Sequence, residues 1–287
     1  MVKVIATDLD GTLFYPKRRI SMIAKKNKKF LYRFIDDGGK LALVSSRSDN
    51  FRKKIAKHFD RPFDFIGAEG CFITIDDQMK EETFFPQDLL RELIPYIREK
   101  YAPWIFMLTS KNRPFVVARS GVKRIVTAIY FLYMFFQGAY KEKGVRSDYV
   151  FFDEINKGEV YKLMLFVGFT KKQKLMSKKL CEEINAKYDS IEAHWLGEVA
   201  EITPKGCTKA EGVAKYLDYL KINHDNVLVV GDGGNDVPMF DRFHEHSYAM
   251  SHAHLSVKSH ASATIKHFHD LEDELYPSVD RKSSKKN

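Results

Sequence analysis

Short apolar runs alternate with amphipathic stretches at both ends of the chain. Strand-length runs separated by helix-length stretches predict an α/β fold with a doubly wound parallel sheet. The first predicted elements are a strand at 2–7, a helix at 21–37, a strand at 40–45, a helix at 50–59 and a strand at 63–68. The alternation returns late in the chain, with a strand at 199–203, a helix from 208 and a strand at 227–230.

The middle of the chain has a different pattern, in which strands follow one another more often. A hairpin around Asp76-Asp77, with strands at 71–75 and 82–85, leads into it. Further predictions are helices at 89–99, 122–136 and 171–187, and strands at 104–108, 115–118, 149–152 and 161–167. We therefore expect an α+β cap domain at 83–189, inserted into a discontinuous α/β core at 1–82 and 190–287.

Composition places the chain among ordinary globular proteins. Its 287 residues are 44% hydrophobic and 30% charged, which excludes intrinsic disorder and fibrous repeats. No apolar run reaches the length of about 18 residues that spans a bilayer, and the first residues do not resemble a signal peptide. Three cysteines without pairwise spacing support neither a disulfide framework nor a zinc site. We expect a soluble, cytoplasmic protein without a membrane partner.

Basic charge is concentrated in the predicted insertion. Residues 83–189 contain nineteen Lys and Arg against eleven Asp and Glu, in a chain of formal net charge +9. A basic segment favours an anionic partner, although a solvated basic surface has the same composition. The chain lacks zinc-finger spacing and the aromatic signature of an RNA-binding sheet, so no nucleic acid is expected, and a small phosphorylated metabolite is the other anionic partner to consider.

The first acidic motif, DLDGTL, follows the first predicted strand. Its two carboxylates, Asp8 and Asp10, are separated by one residue and come directly after an apolar run. One of them can attack phosphorus to form an aspartyl-phosphate, while the other moves the proton of the leaving alcohol and of the attacking water. This motif therefore indicates phosphoryl-group chemistry.

The second acidic motif, GDGGND, follows the strand predicted at 227–230. Asp232 and Asp236 would then join Asp8 and Asp10 at the carboxyl edge of one parallel sheet, where four carboxylates need a neutralising cation. Oxygen ligands favour a hard ion, and the EF-hand spacing of a calcium loop is absent, so Mg²⁺ is expected.

Phosphoryl transfer also requires groups that hold the phosphate oxygens. Ser45 and the amides that follow it end the second predicted strand, and Lys209 lies in the first turn of the helix that begins at Thr208. A helix N-terminus itself favours anions. Ser46, Arg47 and Lys205 are further candidates for the same role.

Together these motifs resemble the haloacid dehalogenase superfamily, in particular its Cof-like sugar-phosphatase group with a type-IIB cap. The family's four motifs correspond here to DLDGTLF at 8–14, VSSR at 44–47, PKGCTK at 204–209 and GDGGND at 231–236. The resemblance implies Asp8 as nucleophile and metal ligand, and Asp10 as acid/base with its main-chain carbonyl on the metal. It further implies that Asp232 completes the Mg²⁺ ligands and that Asp236 holds metal-bound water. The phosphate would be held by Leu9, Ser45, Ser46, Lys209 and Asn235.

Two positions depart from the family's pattern. Ser46 stands where relatives usually have glycine, and Glu69-Gly70-Cys71 stands where they usually read Asn-Gly-Ala. We expect a structural role for Glu69.

The leading interpretation is a Mg²⁺-dependent phosphatase of a small metabolite such as a sugar phosphate. A phosphomannomutase-like mutase and a non-catalytic phosphometabolite sensor remain alternatives, and both a monomer and a homodimer remain open.

Overall fold

The chain folds into two compact units. The computed structural model describes residues 2–16, 22–119, 125, 128–129, 144–197 and 199–277. The first unit comprises Met1–Val44, His58–Asp64 and Val213–Asn287, and the second comprises Ser45–Lys57 and Phe65–Gly212. Within the described residues, no helix combines the length and the apolar character needed to cross a membrane.

The elements are numbered along the chain. The strands are β1 (Val4–Thr7), β2 (Lys40–Val44), β3 (Asp64–Gly67), β4 (Phe72–Ile75), β5 (Gln78–Glu82), β6 (Ile105–Ser110), β7 (Val116–Val117), β8 (Val145–Arg146), β9 (Val160–Phe166), β10 (Ile191–Leu196), β11 (Val199–Pro204), β12 (Val227–Gly231), β13 (Ser247–Met250) and β14 (Ala263–Ile265). The helices are α1 (Lys25–Asp36), α2 (Asp49–Ala56), α3 (Gln87–Tyr101), α4 (Asp148–Lys157), α5 (Lys171–Lys187), α6 (Lys209–Leu220), α7 (Val237–Arg242), α8 (Leu255–Lys258) and α9 (Leu271–Leu275).

The first unit contains a parallel sheet in the order β14-β13-β12-β1-β2. Its central strands β1 and β12 are fully buried and apolar except for Thr7, as expected when both faces of a parallel sheet are covered. Helix α1 contributes Phe30 and Leu31 to this core, and the Phe30 ring packs 5.9 Å from that of Phe268. Since all five strands are parallel, the loops after β1 and β12 emerge at the same edge.

The second unit contains two sets of strands. Strands β3, β4 and β5 pair antiparallel. Asp76 and Asp77 form the turn between β4 and β5, with positive φ angles of 50° and 59°. A six-stranded sheet has the order β10-β11-β9-β6-β7-β8. Helices α3, α4 and α5 pack on it through an apolar cluster that includes Leu93, Phe151 and Leu180.

The structure confirms the predicted α/β class with a parallel sheet and a second region of helices and mostly antiparallel strands, but three element predictions were wrong. The second hairpin strand, predicted at 82–85, is β5 at Gln78–Glu82. Residues 149–152, predicted as a strand, belong to helix α4. The strand at 199–203, assigned from sequence to the parallel sheet, is β11 and pairs with β9 and β10 instead. The helix predicted at 122–136 lies outside the described residues apart from positions 125, 128 and 129. The domain bounds 83–189 stay a prediction.

Candidate active site

The loop after β1 carries Asp8 and Asp10. The Asp8 amide donates a hydrogen bond of 2.9 Å to the carbonyl of Val230, which fixes the end of β1 against β12. Residues Leu9–Leu13 then form one wide helical turn of the π type, which is interrupted at Asp10 and at Gly11, whose φ is +89°. As a result Asp8 and Leu9 are buried, whereas Asp10 is exposed.

The loop after β12 carries Asp232, Asn235 and Asp236. Asp236 is buried, and its Oδ2 accepts hydrogen bonds of 2.9 Å from the amides of both Asp232 and Gly233. These bonds close the glycine-rich loop on itself and hold the Asp236 carboxylate in place. Asn235 is half-buried in the same turn.

Three carboxylates from the two loops come together in the first unit. Asp8, Asp232 and Asp236 each offer an oxygen, and these oxygens all lie within 4.8 Å of one another. Thr12 Oγ1 donates a hydrogen bond of 2.8 Å to Asp232 Oδ1. Three close carboxylates with oxygen as the sole donor atom suit a hard divalent cation, so this set fits the metal that the sequence implied.

A group of rings beside this cluster was missed from the sequence. His252 Nε2 lies 3.5 Å from Asp232 Oδ2, and the His252 ring stacks on Tyr15 with centroids 4.3 Å apart. Tyr15 also stacks on His267 at 6.3 Å. None of these residues belongs to a recognisable motif. The signal that could have found His252 is its position just after β13, a neighbour of β12 in the parallel sheet.

A buried asparagine holds the loop that follows the acidic motif. Asn27 Nδ2 donates hydrogen bonds to the carbonyls of Leu13 and Tyr15, at 3.0 and 3.4 Å. Its Oδ1 lies 3.1 Å from Nδ1 of His269. Burial lowers the pKa of His269, and the nearby Asp270 offsets part of this effect. Asn27 thereby fixes where the chain leaves the Asp8 loop.

The predicted phosphate-binding residues Ser45, Ser46 and Lys209 lie in the second unit. Ser45 is buried; its amide donates to the carbonyl of Ile66 at 2.9 Å. Its Oγ accepts from the Arg47 amide at 3.3 Å, and Ser46 is half-buried. Lys209 is buried at the start of α6. How these residues act with the aspartates of the first unit stays a prediction.

Glu69 is buried next to a lysine of the six-stranded sheet. Lys162 Nζ lies 2.9 Å from Glu201 Oε2 and 3.9 Å from Glu69 Oε1. Burial alone would lower the pKa of Lys162, but the two carboxylates raise it above the usual lysine value. Glu69 has a φ of +61°, and its amide donates to the carbonyl of Ser45 at 3.2 Å. The carboxylate of Glu69 therefore has a cationic neighbour in its own unit.

Comparisons with known proteins agree with this architecture. The 5-amino-6-(5-phospho-D-ribitylamino)uracil phosphatase YwtE of Bacillus subtilis (strain 168) is 24% identical over 256 residues, covering 84% of this chain and 85% of that protein. The crystal structure of SMU.1108c from Streptococcus mutans UA159 superposes with a TM-score of 0.77 at 22% identity, covering 97% of this chain and 100% of that one.

A second solved structure, that of the subclass IIB sugar phosphatase BT4131, has a TM-score of 0.71 at 18% identity and covers 96% of this chain and 99% of that one. Both solved structures show that the fold is shared. The sequence model of the haloacid dehalogenase-like hydrolases matches residues 5–272, which span both acidic loops and nearly the whole chain. The chain therefore belongs to the haloacid dehalogenase-like hydrolase family.

Proposed function

We propose that the protein is a Mg²⁺-dependent phosphatase that hydrolyses a small phosphorylated metabolite, in particular a sugar phosphate. The observation that carries the proposal is the convergence of Asp8, Asp232 and Asp236 within 4.8 Å, with Asp10 two residues after Asp8. A nucleophilic carboxylate beside two further carboxylates is of use to phosphoryl transfer, whereas a binding protein for an anion gains nothing from it. The names of YwtE and BT4131 support the substrate class.

In the proposed mechanism, a carboxylate oxygen of Asp8 attacks phosphorus, and the bond from phosphorus to the leaving oxygen breaks. Asp10 gives its proton to that oxygen, which leaves an alcohol and an aspartyl-phosphate on Asp8. Asp10 then takes a proton from a water molecule that attacks the same phosphorus. The bond between phosphorus and the Asp8 oxygen breaks, which releases inorganic phosphate and restores the Asp8 carboxylate. A bound Mg²⁺ would offset the negative charge of the carboxylates and of the phosphoryl group.

The remaining predicted residues hold the substrate in this proposal. Ser45, Ser46, Lys209, Asn235 and Leu9 bind the phosphoryl oxygens, because developing negative charge needs positioned donors and a positive charge. The region 83–189 acts as a cap that excludes water and contacts the leaving group. Its excess of Lys and Arg favours an anionic substrate.

The decisive experiment measures phosphate release by the purified full chain against a panel of sugar phosphates, nucleotides, flavin mononucleotide and pyridoxal phosphate. We expect activity that requires Mg²⁺, with the highest kcat/KM on sugar phosphates. Asp8→Asn keeps the size of the side chain and removes the nucleophile, so turnover should fall to background. Asp241→Asn, at an exposed aspartate of the same unit, is the matched control and should retain activity.

Two outcomes would contradict the proposal. Full activity in Asp8→Asn would remove the assigned nucleophile. Conversion of mannose-1-phosphate to an isomer without phosphate release would instead identify a mutase.

A further inference from the structure

His252 reaches the acidic cluster from a strand that the motifs do not include. Strands β12 and β13 are parallel neighbours, and Gly231 pairs with Ala249 in their register. Asp232 comes one residue after that pair, and His252 comes three residues after it, in the turn that follows β13. The parallel pairing therefore delivers both side chains to the same edge of the sheet.

Asp232 is constrained on three sides. Its Oδ1 accepts the hydrogen bond of 2.8 Å from Thr12 Oγ1, and its Oδ2 lies 3.5 Å from His252 Nε2. Gly11 forms the third side, because a Cβ built on it would lie 2.2 Å from Asp232 Oδ2. Within the described contacts, each Asp232 oxygen thus faces a possible hydrogen-bond donor, and the carboxylate has little freedom to rotate.

The His252 ring is itself held in position. It stacks on Tyr15 with centroids 4.3 Å apart and ring planes at 28°. Tyr15 is anchored to the Asp8 loop, since its amide donates to the carbonyl of Thr12 at 3.1 Å. The His252 side chain remains 33% exposed, so the stack, rather than burial, defines where its Nε2 points.

We infer that His252 is a positioning residue for Asp232 and strengthens divalent-cation binding at the Asp8–Asp232–Asp236 cluster. The stack on Tyr15 holds the His252 ring in place. This inference rests on the proposed function for the presence of the cation. Carboxylates that ligate metals are oriented by hydrogen-bond partners outside the coordination sphere, and losing such a partner costs about 10- to 100-fold in metal affinity. An imidazole N–H donor at Asp232 Oδ2 would leave a lone pair of that oxygen for the cation.

The test is an equilibrium titration of the full chain with Mn²⁺, a hard cation that carboxylates bind and that is visible by electron paramagnetic resonance. His252→Ala should weaken Mn²⁺ binding about 10- to 100-fold. His252→Asn retains an N–H donor and should recover part of the loss. The matched control is His260→Ala, which removes another exposed histidine of the same unit that pairs with an aspartate, Asp241 at 2.7 Å. It should leave Mn²⁺ affinity unchanged.

The outcomes separate this inference from the proposed function. Unchanged or tighter Mn²⁺ binding in His252→Ala, with normal binding by the wild type, would overturn the inference alone. A wild type that binds no divalent cation would overturn both. Should His252→Ala fail to fold, Tyr15→Leu removes the stack and keeps the imidazole. It should weaken Mn²⁺ binding several-fold, and wild-type affinity in that variant would contradict the role of the stack.

Discussion

Gly11 shows how a single residue makes the cluster possible. Its φ of +89° is one that side-chain-bearing residues rarely adopt, and a Cβ there would overlap the carboxylate of Asp232 at 2.2 Å. Glycine therefore serves two purposes at this position. It lets the chain turn after Asp10, and it leaves the space that the Asp232 side chain occupies.

Gly11→Ala should accordingly damage both stability and cation binding. The strained backbone should cost about 1–2 kcal/mol in the free energy of unfolding, and displacement of Asp232 should lower Mn²⁺ affinity about tenfold or more. Gly38→Ala is the matched control, because Gly38 has a similar φ of +91° with nothing within 4 Å of the added Cβ. Urea unfolding should show the backbone cost in both variants and a further cost in Gly11→Ala from the overlap with Asp232. Only Gly11→Ala should lose affinity. Equal Mn²⁺ affinities would argue against the contact with Asp232.

A substitution at Asp10 should impair proton transfer and leave cation binding intact. Its side chain is exposed and lies outside the set of three carboxylates found among the described residues. Asp10→Asn should therefore lower kcat about 10²- to 10⁴-fold, the usual contribution of positioned proton transfer, while Mn²⁺ affinity stays close to that of the wild type. Steady-state phosphate release measures the loss of kcat, and Mn²⁺ titration measures the affinity. A parallel loss of affinity would mean that the Asp10 side chain serves the cation instead.

Helix α4 shows why an element can be assigned wrongly from its apolar pattern. The run Tyr149-Val-Phe-Phe is rich in β-branched and aromatic residues, which are typical of strands. Capping at both ends favours the helix. Ser147 Oγ accepts a hydrogen bond of 3.3 Å from the Val150 amide, and Gly158 ends the helix with a φ of +70°. By contrast, the bounds 171–187 were predicted correctly for α5, where Thr170 and Gln173 form a capping box.

Glu154 ties α4 to strand β6 and should make stability depend on pH. It is fully buried and accepts hydrogen bonds from Ser110 Oγ at 2.6 Å and Lys157 Nζ at 2.9 Å. Burial alone would raise the pKa of Glu154, but hydrogen bonds from Lys157, Ser110 and Asn112 outweigh it and lower that pKa. The stabilisation is therefore complete above the unfolded pKa of about 4.3 and is lost as pH falls through the lower folded value.

Glu154→Gln should lower the free energy of unfolding at pH 7 by about 1–3 kcal/mol, since it breaks a hydrogen-bonded buried charge. The difference from the wild type should shrink in acid, where Glu154 itself becomes protonated. Asp153→Asn is the control, because Asp153 pairs with the same Lys157 but is 42% exposed; its effect should stay within about 0.5 kcal/mol. Urea unfolding at several pH values measures both. A cost for Glu154→Gln that does not change with pH would contradict the charge argument.

At the scale of the whole molecule, strand direction is the property that the sequence predicts best. The acidic motifs each come directly after a buried strand, and parallel strands end at the same edge, so the meeting of Asp8 with Asp232 could be predicted over more than two hundred residues. The sheet to which 199–203 belongs could not be predicted, because a strand-length run fits either sheet and the pairing with β9 and β10 decides between them. His252 was missed because its role depends on the register of β13 rather than on a motif.

Under the proposed function, the acidic cluster should also make the stability of the whole chain depend on divalent cations. Three carboxylates within 4.8 Å repel one another, and a cation that binds only the folded state stabilises it, by about 2.7 kcal/mol at 100 times its Kd. Excess Mg²⁺ should therefore raise the Tm above its value in a chelator, as measured by circular dichroism. The Tm of Asp232→Asn measured in chelator should equal or exceed that of the wild type, because one of the repelling charges is gone. The rise of Tm on addition of Mg²⁺ should largely vanish in this variant. NaCl at equal ionic strength controls for screening. An equal rise of Tm in NaCl, or an unchanged Mg²⁺ response in Asp232→Asn, would show that the cation does not bind at this cluster.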